Sequence, residues 1–123
     1  YRPWFVTKMF WEGTPENLKH FVANPENGSS HNKGCAIDIG LYDIETGESI
    51  DMISGYDEFT ERAYPNYMGG SKKQRDIRDM LIQVMEKNDF TVYEYEWWHF
   101  NYNKCDSGIM NYSFSELDSL NSV

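Results

Sequence analysis

The sequence predicts an α+β domain in which a small antiparallel sheet has helices packed on one side. Residues 71–87 repeat apolar side chains with the period of an amphipathic helix, and residues 90–102 are rich in the aromatic residues that favour strands. Residues 35–44 alternate in the way a half-buried strand does. A chain of 123 residues suffices for one modest core, so a single domain over residues 1–123 is expected.

Two short helices are predicted before residue 24. Pro3 lies in the first turn of the first helix, which continues through apolar residues up to Phe10. Thr14 followed by Pro15 predicts the start of the second helix, with the threonine as its N-terminal cap. The polar residues 24–30 then predict a loop.

The strand predicted over residues 35–44 has two different faces. One face carries Cys35, Ile37, Ile39 and Leu41. On the other face Asp38 lies between Ala36 and Gly40, and these small neighbours leave room above the strand for a ligand or another group.

The rest of the chain continues the α+β pattern. After a turn at residues 45–47, residues 48–52 are predicted to return as a hairpin partner. The elements predicted beyond them are an irregular segment at 53–70, a helix capped by Ser71 and ending near Lys87, strands at 90–95 and 97–102, and a loop-like tail after Cys105.

Charge and composition exclude some functions and leave the compartment open. The net charge of −9 argues against general nucleic-acid binding, which needs a basic face, and no apolar run approaches the length of a membrane span. Cys35 and Cys105 are too few for a disulfide framework and can either pair or both be free. Neither the compartment nor the oligomeric state is predicted.

The stretch SSHNKGCAID combines two residues that bind metals, His31 and Asp38. In one extended strand they would lie roughly 23 Å apart, at about 3.3 Å per residue. Residues 32–34, Asn-Lys-Gly, suit a chain reversal that would let both residues meet at one ion. Considered singly, His31 is more commonly a solvated loop residue and Asp38 a turn cap.

The downstream stretch EYEWWHF offers a third ligand, His99, and a carboxylate, Glu96. A catalytic zinc has three protein ligands, and a nearby carboxylate takes the proton of the attacking water. Residues three apart face opposite sides of a regular strand, so both reach one site only through a bulge or if Glu96 precedes the strand. The alternative is an aromatic core strand with a half-buried histidine.

Together these stretches resemble the D-alanyl-D-alanine dipeptidases, in the zinc peptidase family that also holds D,D-carboxypeptidases. The family pattern is Ser-x-His-x-x-Gly-x-Ala-x-Asp, followed near the end by Glu-x-x-His. It is met here by Ser29, His31, Gly34, Ala36, Asp38, Glu96 and His99. The opening Tyr1-Arg2-Pro3 also resembles a dipeptidase motif. The resemblance covers nearly the whole chain and implies hydrolysis of D-alanyl-D-alanine with one zinc per chain.

The resemblance implies a role for each residue of the site. Zinc would be bound by His31, Asp38 and His99. Glu96 would act as general base and acid, and Arg2 would stabilise the charge of the tetrahedral intermediate. Asp57 would hold the free amino group of the dipeptide, and Ser29 would contact it near its carboxylate. Cys35 is interpreted as a core residue, and His20 is not expected to bind metal.

Two other functions remain open, and one segment is expected to be missing. A peptidoglycan D,D- or L,D-carboxypeptidase would share the fold, but such enzymes commonly show Glu-Pro-Trp-His, so Trp97 favours the dipeptidase. A non-catalytic zinc-stabilised binding module would keep the ligands but lose Glu96 or Arg2. The resemblance also implies a segment with sheet structure before Tyr1, and we expect this segment to be absent.

Overall fold

The computed structural model describes residues 1–120 and confirms the α+β class. Its helices are α1 (Trp4–Gly13), α2 (Lys72–Glu86) and α3 (Phe114–Leu120), with short 3-10 helices at Glu16–Phe21, Ser30–Lys33 and Glu61–Ala63. Its strands are β1 (Ala36–Asp38), β2 (Phe90–Tyr93) and β3 (Glu96–Tyr102), which form one sheet in the order β1-β3-β2. The chain divides into a smaller unit, residues 1–36 with those from 105 onward, and a larger unit, residues 37–104.

The larger unit is built around α2, which packs against β2 and β3. Ser71 begins this helix in a capping box with Gln74, as the sequence predicts. On the predicted apolar face Leu81 is buried, whereas Met80 and Val84 are each about half exposed. The core of this unit consists of Ile53, Ala63, Leu81, Trp97, Trp98 and Phe100.

The strand predicted over residues 35–44 is shorter than expected. Regular strand ends at Asp38, although the Ile39 N–H still donates to the Trp98 carbonyl at 3.0 Å. The predicted return strand is reduced to one antiparallel bridge between Tyr42 and Ser49. The chain reverses directly after this bridge, where the Gly47 N–H donates to the Asp43 carbonyl at 2.8 Å.

The carboxylate of Asp43 closes that turn. It accepts hydrogen bonds from the N–H groups of Glu45 and Thr46, each at 2.9 Å. The backbone N–H of Thr46, followed by that of Glu45, holds the pKa of Asp43 below its usual value. This local contact stabilises the turn that the sequence predicts at residues 45–47.

The beginning of the second helix differs from the prediction. Thr14 does not cap it, because the Thr14 hydroxyl donates to the Phe10 carbonyl at 2.7 Å and so satisfies the end of α1. Pro15 occupies the cap position instead, and the helix is of the 3-10 type over Glu16–Phe21.

The smaller unit is held together by a disulfide and by one buried asparagine. Cys35 and Cys105, whose pairing the sequence leaves open, form the disulfide. Asn32 has no exposed surface, and its amide donates to the Arg2 carbonyl at 2.8 Å and to the Thr7 hydroxyl at 2.9 Å. These contacts tie the start of the chain to the loop that contains His31.

The tail after Cys105 is only partly a loop. Residues 106–113 have no regular structure, but α3 follows them, so the loop-like prediction is wrong for Phe114–Leu120. Ser113 accepts a hydrogen bond from the Glu116 N–H at 3.3 Å and donates to the Glu116 carboxylate, which is a local helix start that the prediction missed. Residues 121–123 lie outside the described part of the chain.

No helix within residues 1–120 combines the length and the apolar character that crossing a membrane requires.

Candidate metal centre

The loop that carries His31 is a capped 3-10 helix, Ser30–Lys33. The Ser29 hydroxyl accepts a hydrogen bond from the His31 N–H at 3.2 Å, and both residues are buried. Gly34 ends the helix with φ of 67°, so the predicted reversal occurs at this glycine. Any other residue at this position would have to adopt the left-handed backbone conformation, which glycine alone adopts without steric cost. The strand that carries Asp38 begins two residues later.

Arg2 and Ser29 both lie beside His31 in the smaller unit. The Arg2 N–H donates to the His31 carbonyl at 3.0 Å, and the Arg2 guanidinium lies 5.1 Å from the centre of the Phe10 ring. The hydroxyl of Ser29 already serves as a helix cap. The roles predicted for these two residues toward a substrate stay predictions.

A bulge in β3 brings Glu96 and His99 to the same side. Val92 of β2 pairs with Phe100, whereas the next residue, Tyr93, pairs with Glu96, so three residues of β3 lie between consecutive pairs. The His99 Nδ1 atom consequently lies 3.8 Å from the Glu96 carboxylate. The shift in register agrees with the bulge, one of the two arrangements that the spacing allows.

Asp38 completes a compact group in the larger unit. Its Oδ1 atom lies 3.0 Å from His99 Nδ1, because β1 is the neighbour of β3 in the sheet. The side chains of His99 and Glu96 are 10% and 13% exposed, and that of Asp38 is 31% exposed. The group is therefore largely shielded from water but open on the side of Asp38.

Two residues that sequence reasoning missed orient the ring of His99. The Nε2 atom of His99 lies 3.2 Å from Asn101 Oδ1, and the Tyr93 ring contacts the imidazole edge-on with centroids 5.4 Å apart. In the neutral tautomer that donates from Nε2 to Asn101, the lone pair on Nδ1 faces the Asp38 carboxylate. Two such acceptors at 3.0 Å favour a cation between them, so this donor set fits a metal ion.

Both tyrosines near the group have raised pKa values. Burial, followed by the negative charge of Glu96, raises the pKa of Tyr93. Burial, followed by the charge of Asp38, raises the pKa of Tyr56. Each hydroxyl therefore remains protonated at neutral pH and can donate a hydrogen bond.

Asp57 lies in a strained turn of the larger unit. Its φ of 54° is in the left-handed region, which aspartate tolerates better than most residues. The turn is held by the Gly55 N–H, which donates to the Glu58 carboxylate at 3.1 Å. The side chain of Asp57 is exposed and has no hydrogen bond or ion pair to another residue in the described part of the chain. Its contact with a substrate amine stays a prediction.

His20, which is not expected to bind metal, lies in the smaller unit. It is exposed, and its ring stacks on that of Phe21 with centroids 4.2 Å apart. Each unit thus brings together part of the predicted site: the larger contains Asp38, Glu96 and His99, and the smaller contains Arg2, Ser29 and His31.

Comparison with known proteins identifies the family. Residues 6–119 match the family described as D-ala-D-ala dipeptidase. The chain belongs to this family. Members of the family depend on a metal ion, and this dependence agrees with the donor set of Asp38 and His99.

Three curated D-alanyl-D-alanine dipeptidases are similar to this member of the family. The protein of Enterococcus faecalis is 38% identical over 82 residues, which cover 67% of this chain and 39% of the relative. Those of Enterococcus faecium and Escherichia coli are each 34% identical, and each match covers 81% of this chain. The two matches cover 57% and 50% of the relatives, so the chain spans about half the length of these proteins.

Proposed function

We propose that this member of the dipeptidase family acts in the zinc-dependent hydrolysis of D-alanyl-D-alanine to two molecules of D-alanine. The observation that carries the proposal is the convergence of Asp38, Glu96 and His99 at the β3 bulge. A metal-binding pair with a shielded carboxylate beside it is an arrangement suited to metal-assisted hydrolysis of an amide.

The proposed zinc ligands are His31, Asp38 and His99. His99 would use Nδ1, because Asn101 holds its Nε2 side. Asp38 would use the carboxylate that faces the same nitrogen. His31 joins the set through its place in the family motif. Two imidazoles and one carboxylate leave a fourth position open, as in catalytic zinc sites.

Glu96 is the proposed general base and acid. When bound, zinc polarises the scissile carbonyl and makes its water more acidic. Glu96 accepts a proton as the water oxygen adds to the carbonyl carbon. It then delivers that proton to the amide nitrogen as the C–N bond breaks, which releases the amine and the carboxylic acid. The low exposure of Glu96, 13%, keeps competing water away from the transfer.

Arg2 and Ser29 are proposed to act on the charges of the reactants. The guanidinium stays protonated at all relevant pH values, so Arg2 can supply fixed positive charge where an oxyanion develops. The hydrogen bond from the backbone N–H of Arg2 to the His31 carbonyl supports this assignment, because it holds residue 2 next to a proposed zinc ligand. Ser29 is proposed to contact the dipeptide near its carboxylate.

Recognition of the free amine separates a dipeptidase from a carboxypeptidase. We predict that D-alanyl-D-alanine is hydrolysed, that its N-acetylated form is not, and that Asp57→Asn raises KM roughly 10- to 100-fold. The reason is that an ammonium group needs a fixed anion, and Asp57 is an exposed carboxylate in a turn with positive φ. The measurement is steady-state release of D-alanine, with zinc content determined in parallel.

Asp89→Asn is the matched control for this experiment. Asp89 is the other aspartate with positive φ, at 66°, so the substitution makes the same chemical change in a similar backbone. It should leave KM unchanged. Efficient cleavage of the acetylated dipeptide or of a peptidoglycan pentapeptide would reject the dipeptidase and favour the carboxypeptidase.

A further inference from the structure

The space above Gly40 is filled by the side chain of Tyr56. A Cβ atom built on Gly40 would lie 2.6 Å from the Tyr56 hydroxyl oxygen, so a larger residue here would displace the end of this side chain. The Tyr56 ring also packs on two tryptophans of β3, with centroids 5.9 Å from Trp97 and 5.6 Å from Trp98. The room that the sequence predicts beside Asp38 is thus partly occupied by an aromatic ring from a distant turn.

Tyr56 lies near two residues of the proposed site, Asp38 and Asp57. Gly40, which the Tyr56 hydroxyl contacts, is only two residues after Asp38 along the chain. Asp57, the proposed partner of the substrate amine, follows Tyr56 directly. Tyr56 is 52% exposed, and its hydroxyl has no hydrogen-bond partner within residues 1–120. A substrate held between Asp38 and Asp57 would therefore meet this ring.

An open cavity lies against the same residues. Its volume is about 710 Å³, and its lining includes Gly40, Tyr56, Trp97, Leu41 and Met52. This volume is far larger than a methyl group, so the fold has space for a bulkier side chain. The Tyr56 ring occupies the border of that space at Gly40.

We propose that Tyr56 is a specificity-determining residue that limits the amino-terminal side chain of the substrate to the size of alanine. The inference rests on the proposed function and deepens it. A methyl group fits beside the ring, whereas a longer side chain would have to occupy the volume of the ring itself. Truncation of Tyr56 opens the site to the cavity.

The test compares D-alanyl-D-alanine with D-leucyl-D-alanine. In Tyr56→Ala the ratio of kcat/KM for the leucyl to the alanyl dipeptide should rise at least about 10-fold, a typical effect of a few methylene groups in a pocket. Tyr56→Phe keeps the ring and should keep the ratio of the unchanged protein. Tyr56→Leu retains apolar packing on the tryptophans and serves as a second, milder truncation.

Tyr42→Ala is the matched control. Tyr42 lines the same cavity and is 67% exposed, but it lies away from the contact with Gly40. It should leave the ratio unchanged. If Tyr56→Ala and Tyr56→Leu lower hydrolysis of both dipeptides by the same factor, the ring supports only the fold and the proposal is overturned.

A binding measurement distinguishes failure of this proposal from failure of the proposed function. Calorimetry with the zinc-loaded Glu96→Gln variant should show preference for the alanyl dipeptide, and adding Tyr56→Ala should remove that preference. If the unchanged protein hydrolyses neither dipeptide but the binding preference follows Tyr56, the proposed reaction fails and the role of Tyr56 stands. Equal binding of both dipeptides, or no binding, overturns the role of Tyr56.

Discussion

Glu96→Gln should keep one zinc per chain and lower kcat for D-alanyl-D-alanine by roughly 100-fold or more, in line with the loss of general acid–base catalysis. The amide has nearly the shape of the carboxylate, so the bulged strand and the ring of His99 should stay in place. It cannot accept the proton of the attacking water. Elemental analysis and steady-state hydrolysis, measured on the same preparation, check the two halves of this expectation.

Glu94→Gln is the control for the change of charge near this site. Glu94 is exposed and lies in the turn between β2 and β3, two residues from Glu96. It should retain full turnover. Near-normal kcat in Glu96→Gln would remove Glu96 from the chemistry, and loss of zinc in that variant would make Glu96 a ligand.

His99→Ala should abolish stoichiometric zinc binding and, with it, hydrolysis. The imidazole is one of three proposed ligands, and its Nδ1 lies 3.0 Å from the carboxylate of another, Asp38. Two remaining ligands do not make a good zinc site. Metal content after dialysis against a zinc-free buffer is the measurement, and circular dichroism checks that the variant is folded.

His20→Ala provides the comparison for the loss of one histidine. His20 is exposed in the 3-10 helix Glu16–Phe21, so this variant should keep its zinc. Because His99 is buried, His99→Gln is a second variant that fills more of the space left by the ring. One zinc per chain in both His99 variants would mean that the metal is bound elsewhere.

Local signals in the sequence predicted the elements that depend on neighbouring residues. The predicted start of α2 is correct because Ser71 and Gln74 form a capping box within four residues. The predicted reversal after His31 is correct because Gly34 supplies the positive φ that it needs. The motif residues Asp38, Glu96 and His99 were predicted to converge, and the contacts among them in the larger unit agree.

Features that depend on contacts between distant residues are harder to predict from the sequence. The β3 bulge was one of two possibilities, because only the register against β2 decides between them. The 70-residue separation between Cys35 and Cys105 leaves no local sign of a disulfide. Small residues around Asp38 predicted free space, but nothing near them indicated that Tyr56 fills part of it.

The position of Asn101 relative to His99 is a local signal in the sequence. It follows His99 by two residues, so a strand places both side chains on one side, and its amide oxygen can fix the imidazole tautomer. Tyr93 had no such signal, because its contact with His99 arises from the pairing of β2 with the bulged β3.

The central claim is that hydrolysis of D-alanyl-D-alanine depends on one zinc ion held by residues of this chain. The most direct measurement is D-alanine release by the full protein containing the chain, before metal removal, after dialysis against a chelator, and after addition of one equivalent of zinc. The account predicts that activity is lost with the metal and returns with that equivalent. Undiminished hydrolysis by metal-free protein, or none by protein that has taken up one zinc per chain, would contradict it.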